Sequence, residues 1–557
     1  MKKIFLVLII LALPSIAWLM QPGYFPMHDD LQAMRQLQMA KCFEDWQIPC
    51  RWVPDMGYSY GYPLFNFYPP LPYYLGQVFH TMGFSYVDIV KILGVIVLLA
   101  SVVTMYLLAA EFFGPLSGAL SSMLYLYAPY HSVDFYVRAA VNESWALVWF
   151  PLIYWTTYKL IESSRFKWVP FVSLSVAALM LSHNPMLMIF VPTYLVWIVF
   201  WWWKFKSISS FKHLTIAAFW ALGLAAFFTL PVIFEQQYVS IWTLTSGYFN
   251  YLAHFLDVKQ MFLNINWGYG SSELGPIDSM SFAIGYLHWI IPVILFPFVI
   301  FSKRFKIHKS LFILLFLLMF SALFLTHSKS TPIWQFIKPL EILQFPWRFL
   351  TLVIFFASFI SGVLKPKPLL LSCLLVLTLL LNANYFKPKE WWSDYKDYDR
   401  FTGKNWQLML TSAIFDYLPT WAYRPPANGP TNNLEFLSAQ GSFTTLEKKS
   451  NRQRYEVDIQ SPGSLIIQTY YFPGWKVWVD GKLVETKPFS DPLRLGRIIF
   501  DISGGSHQII LKFTNTPVRT FGNILSLSSW IAVMVFAIIQ IRRSKNRDFP
   551  PFLHSKK

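Results

Sequence analysis

The sequence predicts a polytopic α-helical membrane protein with about twelve transmembrane helices and a C-terminal β-sandwich outside the membrane. Hydrophobic residues make up 55% of the 557 positions and charged residues only 13%, against roughly 25% charged residues in a soluble domain. Aromatic residues reach 19%, including 24 Trp and 29 Tyr, and such rings collect at membrane interfaces. A soluble fold of this composition would have too little polar surface to stay dissolved.

Twelve apolar runs are candidates for spanning helices, which need about 20 mostly apolar residues. In chain order they are 4–20, 87–110, 115–130, 145–161, 168–183, 186–203, 213–233, 281–301, 310–326, 349–364, 367–384 and 522–541. The first run resembles a signal peptide, but it continues into Gln21 without a small-residue cleavage site. We therefore expect it to be retained as the first spanning helix.

Basic residues cluster in every second connection between these runs. The clusters contain Lys159, Arg165 and Lys167; Lys204, Lys206 and Lys212; Lys303, Arg304, Lys306 and Lys309; Lys365 and Lys367; and Arg542, Arg543, Lys545 and Arg547. Because such clusters stay on the cytoplasmic side, they predict a multi-pass membrane protein with both termini cytoplasmic. The net charge of +17 then reflects orientation signals, and no basic patch on a soluble fold indicates nucleic-acid binding.

Four longer segments fall on the outer side in this topology. Three are the loops 21–86, 131–144 and 234–280 of a transmembrane domain that covers residues 1–384. The fourth segment, 385–521, is predicted to be a separate extracytoplasmic and mainly β domain. Residues 522–557 supply the final transmembrane helix and a basic cytoplasmic tail.

Alternating polar and apolar residues predict the strands of the outer domain. The strands are 455–459, 464–471, 475–479, 494–502 and 507–513. Asp480 and Gly481 follow the third strand, and they predict a tight hairpin turn because both residue types accept a positive φ. Five or more short strands separated by turns predict a small β-sandwich.

The first outer loop carries the residues best suited to chemistry. His28, Asp29 and Asp30 directly follow the first helix. Adjacent carboxylates beside a histidine can act as a general base or bind a divalent cation such as Mg²⁺ or Mn²⁺, although two acids alone are an incomplete metal site. The alternative is that Asp29 or Asp30 caps a helix predicted over residues 31–43.

Aromatic residues and prolines fill the remainder of that loop. Tyr62 and Tyr68 belong to a proline-rich segment that cannot form a regular helix. Such rings suit sugars or lipid headgroups, and they equally suit an aromatic belt at the membrane interface. Cys42 and Cys50 lie in the same loop and predict either one disulfide or two free thiols.

Charged residues at the outer ends of later helices are candidates for binding a phosphate. Arg138 can clamp a phosphate through two hydrogen bonds, with Glu143 orienting it, or the two can form a simple ion pair. Arg348 is a second phosphate candidate, and its alternative is to extend toward the interface. His183 precedes Asn184-Pro185, which predicts a turn between two apolar runs.

The layout resembles the GT-C superfamily, whose multi-spanning glycosyltransferases use polyprenyl-phosphate-linked sugars. The segments 29–35, 52–70 and 138–143 are similar to bacterial membrane proteins labelled 6-pyruvoyl-tetrahydropterin synthase-related. The run 470–481, Tyr-Tyr-Phe-Pro-Gly-Trp-Lys-Val-Trp-Val-Asp-Gly, is similar to the terminal β-domain of YfhO-like membrane proteins. Together these matches span most of the chain.

The resemblance implies a protein of the bacterial inner membrane that transfers a sugar from a polyprenyl-phosphate donor to a glycan or lipid acceptor at the outer leaflet. In this superfamily an aspartate soon after the first helix is the catalytic base or a metal ligand, and Asp29 holds the corresponding position beside Asp30. The donor phosphate would bind near Arg138 and Arg348. Supporting roles fall to His28, Glu143, His183, Tyr62 and Tyr68. The alternatives are a transporter or flippase of lipid-linked glycans and a non-catalytic envelope assembly protein.

Overall fold

The computed structural model describes residues 2–263, 266–275, 277–301, 308–412, 415–423, 425–491, 493 and 495–545. Within this part of the chain, each of the twelve predicted apolar runs falls on a helix. These helices are α1 (Lys2–Ile16), α2 (Tyr86–Phe113), α3 (Pro115–Leu126), α4 (Val141–Ser163), α5 (Val169–Met180), α6 (Asn184–Phe205), α7 (Ile208–Glu235), α8 (Tyr286–Phe301), α9 (Lys309–Leu325), α10 (Leu350–Ser361), α11 (Pro368–Asn382) and α12 (Pro517–Lys545).

Six helices in the described residues are long and apolar enough to cross a membrane, namely α2, α6, α7, α10, α11 and α12 with their flanking turns. Four shorter apolar helices, α1, α5, α8 and α9, accompany them. The helix centred on α10 is the core of the bundle, with 94% of its apolar window buried, whereas only 6% of the window of α12 is covered by protein. An apolar helix without a protein cover fits a lipid environment. The mostly helical architecture is confirmed, its apolar helices are compatible with a membrane protein, and the count of twelve spans stays a prediction.

Local sequence explains where these helices begin and end. The Ser85 side chain accepts a hydrogen bond from the Asp88 backbone and caps α2. Gly114 ends α2 with φ of 92°, in the region that glycine tolerates best. Pro115 then opens α3 at a position where its missing N–H costs nothing.

One end of the bundle gathers the basic connections. The Ser164 hydroxyl is hydrogen-bonded to Ser207 and Ser210, and Lys204 donates to Ser310 at 2.9 Å. The connections after α4, α6 and α8 therefore meet. Lys303, Arg304 and Lys306 of this group, and the tail that contains Arg547, lie outside the described residues.

The four segments predicted to lie outside meet at the other end. Tyr24 pairs with Trp392 in an antiparallel bridge, and Val239 pairs with Pro419 in the same way. The ring of His28 is hydrogen-bonded to the carbonyl oxygen of Tyr269 at 2.9 Å. Loops from distant parts of the sequence thus build one continuous surface opposite the basic connections.

Nine strands follow in the C-terminal part of the chain that the structure describes. They are β1 (Leu434–Phe436), β2 (Gln440–Lys448), β3 (Arg452–Ser461), β4 (Gly463–Tyr470), β5 (Trp475–Val479), β6 (Lys482–Val484), β7 (Lys487–Phe489), β8 (Arg497–Ile502) and β9 (Gly505–Phe513). They form a sheet of order β1-β4-β8-β7 and a sheet of order β2-β3-β9-β5-β6. One apolar core joins residues of both sheets, so the predicted sandwich is present.

The predicted strands match five of these strands closely. Arg494, where the fourth strand was predicted to begin, lies outside the described residues, and β8 begins at Arg497. Asp480 and Gly481 have φ of 47° and 79°, which confirms the hairpin turn between β5 and β6. The first part of the predicted β domain is instead built from irregular chain and two short helices, Asp397–Arg400 and Gly403–Thr411.

The first outer loop joins the bundle to the sandwich. Cys42 and Cys50 form a disulfide, which resolves the two alternatives left open by the sequence. The ring of Trp52 packs against Phe472, Trp475 and Phe513 of the sandwich at centroid distances of 5.9, 5.4 and 5.6 Å. Aromatic packing of this kind adds to the free energy gained from burial.

A buried ion pair at the end of α7 completes this junction. Glu235 accepts hydrogen bonds from Arg519 at 2.9 Å, from Asn66 at 2.9 Å and from Thr516 at 2.6 Å. Arg51 lies nearby, and burial together with the Arg519 charge lowers the pKa of Arg51 to about 9. The Glu235 carboxylate is therefore the anion of a buried region that contains the guanidinium groups of Arg519 and Arg51.

Replacing Glu235 should destabilise the whole junction. Glu235→Ala leaves Arg519 buried without an anion, a change that costs about 3–5 kcal/mol in comparable buried pairs. We expect a fall in the thermal unfolding midpoint of the purified protein in detergent. Glu341→Ala, which removes the exposed pair with Lys338, serves as control and should cost less than about 1 kcal/mol. Equal shifts in the two variants would contradict a stabilising role for Glu235.

Candidate functional site

The centre of the site is the carboxylate of Glu143, in the first turn of α4. Arg138 Nη2 lies 3.0 Å and Arg348 Nε lies 3.3 Å from the same oxygen of Glu143. Tyr130 donates its hydroxyl hydrogen to the other oxygen at 2.8 Å. All four side chains are buried. The structure thus brings together both arginines and the glutamate that the sequence singled out, although Glu143 and Arg348 are 205 positions apart.

Asp134 is a second acid of this cluster. It forms an ion pair with Arg138 and lies in a π-helical turn, Val133–Val137, a conformation found frequently at functional sites. Burial, followed by the Glu143 charge, raises the pKa of Asp134 well above its usual range. The cluster therefore contains two guanidinium groups, the Glu143 carboxylate and a second carboxyl group, that of Asp134, whose ionisation burial disfavours.

Aromatic rings and backbone groups fix the orientation of the two arginines. The Arg138 guanidinium lies 4.4 Å from the centre of the Trp347 ring, a favourable cation–π arrangement. Arg348 donates to the carbonyl oxygen of Leu343 at 2.6 Å and to the Gln344 side chain at 3.2 Å. Both guanidinium groups are therefore positioned before any ligand binds.

The backbone of the first loop is attached directly to this cluster. The Asp29 N–H donates to the carbonyl oxygen of Arg138 at 3.2 Å, and the His28 N–H donates to Val137 at 3.0 Å. Gln32 Nε2 donates to the carbonyl oxygen of Ala139 at 2.6 Å. These hydrogen bonds place Asp29 at the edge of the arginine cluster.

The Asp29 carboxylate itself remains open. Asp29 is exposed, and its side chain has no hydrogen-bond or ion-pair partner within the described ranges. It lies within electrostatic reach of Arg35, Tyr248 and Asp416. An open carboxylate with a fixed backbone can accept a proton from a bound molecule.

Asp30 has a different environment from its neighbour. Its carboxylate lies 2.8 Å from Arg400 Nη2 and accepts a hydrogen bond from the Tyr24 hydroxyl at 2.9 Å. Burial raises the pKa of Asp30 to about 6, while Arg400 acts in the opposite direction. The helix Gln32–Glu44 begins after Leu31 without a side-chain cap, so capping by either acid is not observed. We assign Asp30 to the attachment of the first loop to residues 397–400.

Arg35 lies close to Asp29 in the sequence, but no local motif indicated a functional role for it. It is buried in the helix Gln32–Glu44, and its Nη1 donates to the Tyr68 hydroxyl at 2.8 Å. Its guanidinium also lies 4.1 Å from the centre of the Tyr68 ring. Within the described part of the chain no carboxylate lies at ion-pair distance, and Arg35 Nε has no partner. A buried guanidinium without a bound anion is a natural contact for a phosphate.

Asp416 supplies a further acid near Arg35. It comes from the segment that precedes the sandwich, and burial raises its pKa to about 6, with Arg35 lowering it and Asp29 raising it. The next residue, Tyr417, donates its N–H to the Tyr62 hydroxyl at 2.7 Å. Tyr62 is thus a buried support for this segment. The sequence contained no pattern around Asp416 that indicated a site.

The other predicted residues have supporting positions. The ring of His183 caps α6 by accepting a hydrogen bond from the Met186 N–H at 3.1 Å, and it lies within electrostatic reach of Glu143. His28 is fixed by Tyr269 at the opposite side of Asp29. The structure therefore brings most of the predicted residues to one region and assigns Asp30 and Tyr62 to its framework.

A divalent cation does not fit the acids of the first loop. Arg400 and Tyr24 occupy the carboxylate of Asp30, which leaves Asp29 as the only available ligand of the proposed pair. Among the described residues no group of three or more His, Cys, Asp or Glu is arranged to hold a metal ion. Water and phosphate oxygens can complete the coordination of such a cation, but the engaged Asp30 carboxylate does not offer the paired acids that the sequence suggested.

No protein-family model and no curated protein matches this chain.

The contrast between the two adjacent acids leads to a pH-dependent prediction. Arg400→Met removes the cation that offsets the burial of the Asp30 carboxylate. The cost arises only when Asp30 is ionised, so the variant should lose several degrees of thermal stability at pH 8 and less at pH 5, where the carboxyl group is protonated. Thermal unfolding in detergent at both pH values measures the difference. A loss that is independent of pH would contradict the pairing.

Proposed function

We propose that the protein is a membrane glycosyltransferase that moves a sugar from a polyprenyl-phosphate donor to an envelope acceptor at the outer leaflet. The observation that carries the proposal is the open Asp29 carboxylate held beside buried guanidinium groups. A base and an anion-binding surface at one place are what transfer from a lipid phosphate requires. The resemblance to GT-C enzymes points to the same chemistry.

In the proposed reaction Asp29 takes the proton of an acceptor hydroxyl. The hydroxyl oxygen forms a bond to the anomeric carbon of the sugar, and the bond from that carbon to the phosphate oxygen breaks. The lipid phosphate leaves with the bonding electron pair. A base in this position typically contributes 10²- to 10⁴-fold to the rate.

The leaving phosphate needs positive charge that is fixed in advance. Arg35 supports this role because no carboxylate at ion-pair distance neutralises it. Arg138 and Arg348, the predicted phosphate contacts, are paired with Glu143, and Arg138 is also paired with Asp134. We therefore propose that Arg35 contacts the phosphate and that Arg138 and Arg348 hold Asp29 in place.

The outer location of the site is also part of the proposal. Basic connections meet at one end of the bundle, and the loop surface that carries Asp29 lies at the other. Because basic loops stay in the cytoplasm, the Asp29 surface and the sandwich would face the outside of the inner membrane. Lipids, a lipid-linked donor and a glycan or lipid acceptor would be the partners.

Replacement of the base tests the proposal. Asp29→Asn keeps the size of the side chain and removes its basicity, so sugar transfer should fall by about 10²-fold or more. The assay uses purified protein and a panel of radiolabelled polyprenyl-phosphate sugars. Asp458→Asn, at an exposed position of β3, is the matched control and should transfer at the wild-type rate. Full transfer by Asp29→Asn would remove this residue from the mechanism.

Asp416 predicts how donor binding depends on pH. Above the pKa of Asp416, about 6, its ionised carboxylate offsets the charge of Arg35. Below that pH the carboxyl group is protonated, and this offset is lost. The KM for the donor should therefore rise from pH 5 to pH 7.5, by about fivefold if the offset is about 1 kcal/mol. Asp416→Asn should keep the low KM throughout. The same rise in that variant would show that another group is responsible.

A further inference from the structure

A cavity lies in the loop 234–280, apart from the Asp29 surface. It has a volume of about 380 Å³ and is lined in part by Asp257, Lys259, Gln260, Trp267 and Asp278. This volume falls at the lower end of the about 300–1,000 Å³ typical of small-molecule pockets. The cavity does not include Asp29 or the arginine cluster.

The aromatic wall of this cavity is rigid. The indole of Trp267 is stacked on the ring of Tyr385, with 4.6 Å between the centroids and 16° between the planes. Tyr385 covers one face of the indole, and Trp267 also lines the cavity. A fixed aromatic surface suits the apolar C–H face of a sugar ring and loses little conformational entropy on binding.

The polar wall is held in place by hydrogen bonds between its own members. The Asp278 carboxylate accepts from Gln260 Nε2 and from the Glu273 N–H. Gln260 and Asp257 form a capping box at the start of the helix Val258–Phe262. Carboxylate oxygens keep further lone pairs after such bonds, so they can accept hydrogen bonds from hydroxyl groups.

The charges of the wall select against anions. Two carboxylates, Asp257 and Asp278, line the cavity with one ammonium group, that of Lys259. A phosphate or an acidic sugar would meet net repulsion there. This differs from the Asp29 surface, where guanidinium groups predominate.

The backbone connects this cavity to the Asp29 surface. Tyr269 pairs with Met280 in an antiparallel bridge, and Gly268 permits the contact because a Cβ at that position would meet the Ser279 carbonyl oxygen. The carbonyl oxygen of Tyr269 is hydrogen-bonded to the ring of His28, the residue before Asp29. Tyr248 lies within electrostatic reach of both Asp29 and Asp278. The two sites are therefore neighbours.

We propose that the Trp267 cavity binds a hydroxyl-rich sugar unit that carries no negative charge. In an extension that rests on the proposed glycosyltransferase function, this unit belongs to the acceptor, whose hydroxyl is then directed toward Asp29. The binding step itself does not require transfer. It can therefore be measured separately.

Saturation-transfer NMR with the full-length protein in detergent tests the proposal. The probes are neutral methyl glycosides, with glucosamine, Ca²⁺ and inorganic phosphate as competitors. We expect neutral glycosides to bind, Trp267→Leu to weaken binding at least fivefold, and Trp267→Phe to restore most of it. Trp242→Leu, at an exposed position of the same loop, is the matched control and should bind as the wild type does. Unchanged thermal unfolding of the Trp267 variants excludes a folding defect.

The outcomes separate this proposal from the proposed function. Binding that persists in Asp29→Asn while transfer is lost supports both. Binding that depends on Trp267 in a protein whose transfer does not depend on Asp29 supports the cavity alone. Absence of glycoside binding, equal binding by Trp267→Leu, failure of glucosamine to compete, or displacement of the glycoside by Ca²⁺ or phosphate at equal concentration overturns the cavity proposal.

Discussion

The shared carboxylate of Glu143 is the interaction on which the loop surface around Asp29 depends. It holds Arg138 from the π-helical turn and Arg348 from the entry of α10 at the same oxygen. Removing it would leave two buried guanidinium groups without their common anion, which is far more costly than losing an exposed ion pair. Because the carbonyl oxygen of Arg138 in turn receives the Asp29 N–H, the geometry of the first loop follows from this buried electrostatic contact. The unpaired Asp29 is thus positioned by the buried contacts among Glu143, Arg138 and Arg348.

The first loop also packs against the C-terminal sandwich. Its disulfide-bonded segment packs Trp52 into the aromatic residues of β5 and β9, and Glu235 attaches the start of α12 to the end of α7. The sandwich is therefore bound both to the loop that carries Asp29 and to a helix of the bundle. Asp416, from the chain segment between them, reaches Arg35 for the same reason. The domain does more than cover the membrane part, since it contributes charge to the site.

Much of the fold could be predicted from the sequence because its signals are local. Apolar runs marked all twelve helices, and alternation with the Asp480-Gly481 turn marked the main strands. The convergence of Arg138, Glu143 and Arg348 followed only from topology, which places the ends of distant helices on one side. Arg35 and Asp416 were missed because neither belongs to a local motif, and their electrostatic interaction joins segments far apart in sequence. The disulfide could not be chosen over two thiols, since spacing alone does not set the distance between two cysteines.

The two adjacent acids show why a motif does not fix a mechanism. Asp29 and Asp30 have the same side chain and neighbouring positions. Arg400 and Tyr24 bind the carboxylate of Asp30, whereas that of Asp29 has no partner in the described chain. A base must keep its lone pairs available, so a structural ion pair and a catalytic role compete for the same carboxylate. Asp30 anchors the loop, and this anchoring is what allows Asp29 to stay unpaired without losing its position. In the proposed mechanism the pair consists of one structural acid and one base, and the engagement of Asp30 by Arg400 and Tyr24 is also why a shared metal ion does not fit them.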